Sequence, residues 1–466
     1  MVFLLFILFV VGYAFIVLEH KIHLDKAVPA LLMGGIMWGI VALAHIPVGI
    51  EHGAGNLEAV MLHHTGKIAE IILFIMGAMA LVELIDLHEG FSVITSRIHT
   101  QRKARMLWII AVISFFLSAV IDSLTTAIVV TTMLRKLVGD RKERLVYVSI
   151  VVLAANAGGA WSPIGAVTTT MFWIANKVST FAVVGRLLLP SLVCMALPVW
   201  VLSRTKGMRG NLAIATEPTE ADVTIQTAGD LVQQPSMEVP NTANDTDQET
   251  TPLPAVATDT VYTVGRAATI IFFVGLGAFL FVPIFKVTTH LPPYLGMMIS
   301  LATVWAVSEW LHPAETFAQN RFHAVLEALS RISVSGLLFF LGILLAVASL
   351  EAVGGLNDLA AWLDSLLPRT VVAVVLGILS AIVDNVPLTA AAIGMYNVPT
   401  DDPLWHLLAF TTATGGSLLI IGSAAGVAAM GMEKIEFGWY LRRITWLALL
   451  GYTAGVITYL IQSALW

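Results

Sequence analysis

Along the chain, long apolar runs alternate with short polar breaks. The runs fall at 2–18, 27–43, 68–85, 106–121, 124–137, 145–174 and 183–202. After a polar stretch they resume at 261–285, 294–310, 334–350, 371–383, 386–395, 404–430 and 444–460. A bilayer-spanning helix takes about 20 apolar residues, so the pattern predicts an all-α polytopic membrane protein. Composition agrees: of 466 residues 58% are hydrophobic and 12% charged, with mean hydropathy +0.86, against about 45–50% apolar and about 25% charged in soluble domains. A soluble enzyme, a nucleic-acid binder and a single-anchor receptor are excluded. A net charge of -6 gives no basic face for nucleic acid, and the single cysteine, Cys194, permits neither an intramolecular disulfide nor a Cys-x-x-Cys pair. Run 2–18 lacks the basic start and cleavage site of a signal peptide and reads as the first span.

The polar stretch is rich in Thr, Pro, Asp, Glu and Gln and poor in aromatics, so it cannot bury enough apolar area to offset its chain entropy. Residues 204–260 are therefore expected to form a disordered cytoplasmic linker. It separates a first transmembrane repeat, 1–203, from a second, 261–466.

Three collinear blocks carry the repeat. Leu73-Phe74-Ile75-Met76-Gly77 answers Leu338-Phe339-Phe340-Leu341-Gly342, with Gly90 and Gly355 following. Leu117-Ser118-Ala119-Val120-Ile121-Asp122-Ser123 answers Leu379-Ser380-Ala381-Ile382-Val383-Asp384-Asn385. Ala157-Gly158-Gly159 answers Thr414-Gly415-Gly416, with Gly165 and Gly422 following.

Basic residues concentrate at 97–105 and 135–144, which the positive-inside rule places in the cytoplasm. The two runs between them meet at Asp122-Ser123, and each is short for a full crossing at about 1.5 Å per residue. A re-entrant hairpin satisfies both constraints. The matching hairpin, 371–395, has little flanking positive charge and is expected to enter from outside. Lys21, Lys26, Arg204, Arg209, Arg321, Arg331, Arg442 and Arg443 then all fall inside. The result is an inverted repeat: about five transmembrane helices plus one re-entrant hairpin per half, with broken helices at the midplane, where transporters place their sites.

Asp122 and Asp384 sit at equivalent points of this repeat in apolar context. An intramembrane acid costs about 2.5–3.5 kcal/mol even on the lenient scale, so it reads as functional by default; the alternative is a carboxylate that only caps a helix at the hairpin tip. Ser123, Thr125 and Thr126 beside the first tip, and Ser380, Asn385 and Thr389 beside the second, offer the hard oxygen donors that small cations prefer. Thr131 and Thr132 are expected to bond back to their own helix. Run 145–174 is interrupted at Asn156-Ala157-Gly158-Gly159 and Trp161-Ser162-Pro163, and run 404–430 at Thr414-Gly415-Gly416-Ser417 and Gly422-Ser423. Breaks there would free carbonyls and helix ends for ions, which adds Asn156, Thr168, Thr169, Thr414, Ser417 and Ser423 to the candidates; the alternative is a close-packed glycine interface. Glu83, Asp86 and His88 are candidates for a proton path or pH sensing, or simply a charged interfacial helix end. Most histidines, among them His20, His23, His63 and His64, read as interfacial, without zinc spacing.

These stretches, above all Val82-Glu83-Leu84-Ile85-Asp86, Ser118 to Thr126, Asn156 to Gly165, Asp384-Asn385-Val386-Pro387-Leu388-Thr389 and Gly415 to Ser423, closely resemble the NhaD-type sodium/proton antiporters of the ion-transporter superfamily. The resemblance covers nearly the whole chain except the linker. It implies re-entrant hairpins, a homodimer with an elevator-like moving core in a bacterial plasma membrane, and exchange of Na⁺ or Li⁺ for H⁺ without a cofactor. Na⁺ would be held by Asp122, Asp384, Asn385 and Asn156. Two positions depart from the family's pattern: Ser123 replaces an Asn, and Ala166 replaces an Asp.

The residues leave two rival readings. One is organic-anion symport or arsenite export, practised by relatives with the same hairpins, which two acidic tips disfavour. The other is an intramembrane aspartyl protease using the two acids as a dyad, but the Gly-x-Gly-Asp setting is absent and the symmetric repeat suits alternating access better.

Overall fold

Helices end at the Asp122 and Asp384 junctions and at the paired glycines of runs 145–174 and 404–430, while Pro190, Pro198 and Pro283 stay inside continuous helices. The computed structural model describes residues 2–17, 19–50, 53–54, 56–95, 100, 102–212, 265–311 and 328–465. Arg97, Arg321 and the body of the expected linker, 213–260, lie outside them.

The principal helices of the first half are α1 (Val2–Val17), α2 (Ala27–Leu43), α3 (Leu57–Leu87), α4 (Lys103–Ile121), α5 (Ser123–Leu137), α6 (Arg141–Ala160), α7 (Val167–Ile174) and α8 (Thr180–Ser203). Those of the second are α9 (Arg266–Thr289), α10 (Pro293–Leu311), α11 (Val334–Ala352), α12 (Gly355–Leu366), α13 (Arg369–Leu379), α14 (Asn385–Met395), α15 (Pro403–Gly415), α16 (Ala424–Glu433), α17 (Phe437–Arg443) and α18 (Thr445–Leu465). A two-residue antiparallel pairing, Gly49–Ile50 with Gly53–Ala54, is the extended structure among the described residues.

The protein is an all-helical, multi-pass membrane protein. Among the described residues eight helices are long and apolar enough to cross a bilayer, namely α3, α4, α6, α8, α9, α10, α11 and α18; α12 with α13, bent by 114°, makes a ninth if counted as one span. That is four per half by length, the hairpin arm α4 included; α1 and α2, with 16 and 17 residues, are shorter than a full crossing of about 20 residues. The expectation that both arms of the first hairpin are too short to cross is corrected: α4 starts at Lys103 and has 19 residues, about 28 Å at about 1.5 Å per residue. Helix α3 has 31 residues and begins eleven positions before the apolar run at 68–85, because polar His63, His64 and Lys67 continue the helix. Residues 204–212, placed in the linker by composition, are folded: Lys206–Met208 is a 3-10 turn, Asn211 pairs with Arg102, and Met208 and Leu212 are buried.

The helices pack in two groups. In one, α1 lies on α2, α2 on α11, α3 on α10 and α11, and α9 on α10. In the other, α4 and α5 lie on α6, α13 on α15, α15 on α6, and α8 on α18. This second group holds both hairpins and both broken helices. The groups meet where α14 touches α11, α7 touches α3, and α4 touches α9.

Candidate functional site

The two hairpin tips are built by helix capping. A helix leaves its first N–H groups without internal partners, and a carboxylate just ahead of it accepts from them while the helix dipole favours the negative charge. Asp122 stands between α4 and α5 at φ 81°, a conformation that costs a non-glycine residue energy and concentrates at functional sites. Its Oδ1 accepts from Leu124 N at 2.6 Å and Thr125 N at 3.0 Å, and its Oδ2 from Thr125 Oγ1 at 2.9 Å. Asp384 caps α14 in the same way, with Oδ1 accepting from Val386 N at 3.2 Å. Its own backbone N–H donates to the Tyr13 hydroxyl at 2.8 Å, so α1 touches the second tip.

Both long runs are broken where the glycines stand. Helix α6 stops at Ala160 and α7 begins at Val167; α15 stops at Gly415 and α16 begins at Ala424. The same contacts recur in the two halves. Ser118 Oγ donates to Ala155 O at 2.6 Å, and Ser380 Oγ to Thr412 O at 2.8 Å. A Cβ on Gly158 would lie 2.1 Å from Phe115 O, and one on Gly415 1.8 Å from Gly377 O. Each hairpin's first arm is thus pressed, backbone to backbone, on the broken helix of its own half. The second arms cross over: α5 packs on α16, and α14 packs on α7.

Asn156 and Ser423 meet directly, with Asn156 Nδ2 donating to Ser423 Oγ at 3.0 Å while that oxygen also accepts from Gly426 N at 3.1 Å. Both acceptor positions of the hydroxyl are then filled, which makes Ser423 a brace between the two breaks. Thr126 and Thr168 are fully buried, and among the described residues no partner meets their hydroxyls. Ser123 and Asn385 open their helices beside the two acids. Thr169 donates to Ala160 O across the first break at 3.3 Å. Thr389 donates to Asn385 O at 2.8 Å and lies 3.3 Å from Thr412 Oγ1. Thr414 and Ser417 donate to Phe410 O and Thr414 O, both at 2.6 Å. The Thr414 bond runs along its own helix, and the Ser417 bond closes the turn that follows α15. Thr132 bonds back to Ile128 O as expected, whereas Thr131 does not: its hydroxyl is buried without a partner among the described residues, because that face of α5 is covered.

Glu83, Asp86 and His88 lie elsewhere, at the end of α3 in the other packing group. Arg331 acts on both acids electrostatically, and His88 contacts Leu84 O at 2.7 Å and Ser308 Oγ at 2.8 Å. Of the histidines read as interfacial, His64 is 6% exposed and 4.0 Å from Glu351, because α3 carries it into the packed body. Sequence reasoning missed Tyr13, whose distance along the chain from Asp384 hides the contact. It also missed Glu433, a buried acid held by Arg135 at 2.6 Å and Arg144 at 2.9 Å. The basic cluster at 135–144 was the available signal for it, since charges that dense invite an acidic partner.

A family described as "Citrate transporter" matches residues 13–415. "Sodium/proton antiporter 1" of Arabidopsis thaliana is 40% identical, covering 97% of this chain and 71% of that protein. "Sodium/proton antiporter 2" of the same plant is 39% identical over 97% of this chain and 98% of its own length. "Na(+)/H(+) antiporter NhaD" of Vibrio cholerae is 28% identical over 98% of this chain and 91% of its own. The chain belongs to the NhaD-type antiporter family. Within that family it is a secondary transporter, which sets the protease reading aside. The NhaD-type resemblance read from the motifs holds over nearly its full length.

Proposed function

We propose that the protein exchanges Na⁺ or Li⁺ for H⁺ across its membrane, cation and protons competing for Asp122 and Asp384. The observation that carries this reading is the equivalence of the two tips: each acid caps the second arm of its hairpin, and each second arm packs on the broken helix of the other half. A bound cation favours the ionised carboxylate and a proton excludes the cation, so loading on one side releases protons that reload on the other. Ser123, Thr125, Thr126, Asn156, Thr168, Thr169, Ser380, Asn385, Thr389, Thr414 and Ser417 are the neutral oxygens around this route, and Glu83, Asp86 and His88 a peripheral proton path or pH sensor. The names of the plant and bacterial relatives support the exchange.

The finer architecture belongs to the same proposal. Repeats 1–203 and 261–466 run in opposite directions about a cytoplasmic linker, the hairpins are re-entrant from opposite faces, and the broken helices lie at the midplane. The group of helices carrying both hairpins moves against the other group in a homodimer, in the bacterial plasma membrane. The recurrence of the Ser118 and Ser380 hydrogen bonds supports the repeat.

Proteoliposomes with an imposed proton gradient test the exchange: Na⁺, Li⁺ and K⁺ are added in turn while a pH-sensitive dye is followed. Saturable Na⁺- or Li⁺-dependent dissipation, lost in Asp122→Asn and Asp384→Asn, is the expected result. A second reading, symport of an organic anion, has the description of the matching family in its favour. Uptake of radiolabelled dicarboxylate without a cation-dependent dye response would select it.

A further inference from the structure

Helix α16 is held at both ends by residues of the other half. At its start Ser423 accepts from Asn156. At its end Glu433, 3% exposed, receives Arg135 Nε from α5 at 2.6 Å and Arg144 Nε from α6 at 2.9 Å. A carboxylate at a helix C-terminus opposes the dipole, and a buried carboxylate without partners is strongly destabilising. Both problems are met by the same cations. Arg135 also donates to Met432 O, and Arg141 donates to Glu433 O and Lys434 O at 3.3 Å, so three guanidiniums cover the last carbonyls and the acid together. Arg144 is fixed in turn by Val138 O at 2.9 Å.

The corresponding junction in the other half is clamped too, with different groups. After α7, Ser179 N donates to Asp401 Oδ1 at 2.7 Å, Thr400 Oγ1 donates to Asn176 O at 2.8 Å, and Arg186 donates to Asp401 O at 2.7 Å. The far end of each resumed helix is therefore tied to the other half, α16 by the hairpin arm α5 itself and α7 by the loop that follows α14. Helix α16 has ten residues, about 15 Å at about 1.5 Å per residue, too short to absorb a displacement of its far end by bending. Moving Glu433 moves Ser423.

We propose that Glu433 is a positioning residue for cation binding, setting through α16 the place of Ser423 against Asn156. This rests on the exchange proposed above. Neutralising the acid while keeping its shape leaves two guanidiniums facing an amide, loosens the end of α16, and shifts the brace at its start. The cation site weakens while the aspartates that exchange protons stay intact.

The test uses full-length protein in proteoliposomes and, separately, the Na⁺-dependent rise in melting temperature of the purified protein. In Glu433→Gln the half-saturating Na⁺ is expected to rise about three- to tenfold, with the maximal rate per inserted protein largely kept, and the Na⁺ dependence of melting to shift by the same factor. Glu433→Asp recovers part of it. Half-saturation and Na⁺-dependent melting unchanged in Glu433→Gln, even with lower overall stability, would overturn the proposal and leave Glu433 a purely structural anchor. If Glu433→Gln does not insert, Arg144→Gln and Arg144→Lys carry the test: a shift in the first that the second relieves supports it, and no shift in the first overturns it. A wild type silent to every cation in both assays would bring down the exchange itself, and this inference with it.

Discussion

Asn156 and Ser423 stand 267 positions apart and share a buried hydrogen bond of 3.0 Å. One lies near the end of α6, just before the first break, and the other caps the resumption of the second broken helix. The bond therefore joins the two breaks directly, one half to the other. A buried amide left unpaired costs about 1–3 kcal/mol, so Ser423→Ala, which strands the Asn156 amide and removes the α16 cap, is expected to lower the melting temperature. It should also raise the half-saturating Na⁺ by several-fold. Thermal melting with and without Na⁺ reads both; a variant that melts lower with an unchanged Na⁺ requirement would separate the brace from the site.

Asp122 serves two roles that substitution can divide. Asn caps helices about as well as Asp, whereas Ala loses about 0.5–2 kcal/mol. Asp122→Asn should therefore fold with near-native stability and lose exchange, while Asp122→Ala should lose both. Equal exchange in wild type and Asp122→Asn, at equal insertion, would make the acid a cap and nothing more.

Much of this arrangement is legible in the chain. The Asp-Ser and Asp-Asn junctions mark where one helix stops and another is capped, and the glycine runs with Pro163 mark the breaks, because each is a local property of a few residues. What the chain hides is contact at long range. Tyr13 reaches Asp384 and Arg135 reaches Glu433 across 371 and 298 positions, and no periodicity announces such pairs. The early start of α3 is hidden for a different reason: His63, His64 and Lys67 read as a polar boundary, yet their side chains have partners inside the fold.

Competition between proton and cation fixes the sign of the pH dependence. Below the pH at which the site's carboxylate protonates, each further unit removes about nine-tenths of the ionised form, so half-saturating Na⁺ should rise about tenfold per unit for one competing proton. High Na⁺ should restore the rate and move the acid limb to lower pH. An acid limb that does not move between low and saturating Na⁺ would show that protons act away from the cation site. A dye assay over a matrix of pH and Na⁺ distinguishes the two.

Close backbone approach makes Gly415 unequal to a glycine such as Gly35. A Cβ at Gly415 would lie 1.8 Å from Gly377 O, while one at Gly35 would meet nothing within 4 Å. Gly415→Ala must push the hairpin arm away, at about 1–3 kcal/mol or more, and is expected to insert poorly or to lose exchange. Gly35→Ala should be neutral or stabilising, by up to about 1 kcal/mol. Expression and melting of the pair give the comparison, and a tolerated Gly415→Ala would mean the arm and the broken helix are not tightly seated.

Ala166 and Ser423 hold matching places, each the residue just before the resumed half of a broken helix. Ser423 Oγ accepts from Gly426 N at 3.1 Å; at Ala166, which is 5% exposed, no side chain caps α7. The first break thus carries an uncapped helix start where the second carries a capped one, and an uncapped start forgoes about 0.5–2 kcal/mol. Ala166→Ser should recover part of that, since its extended backbone, φ -144° and ψ 141°, suits a cap. Ala166→Asp would cap as well, but it adds to the two tip aspartates a buried carboxylate near Thr168 and Thr169, a charge that only a cation or a proton can balance. Melting temperature should therefore rise in Ala166→Ser without Na⁺, whereas Ala166→Asp should need Na⁺ or low pH to reach the same stability. If Ala166→Asp is equally stable at high pH without Na⁺, the start of α7 lies open to water and outside the cation route.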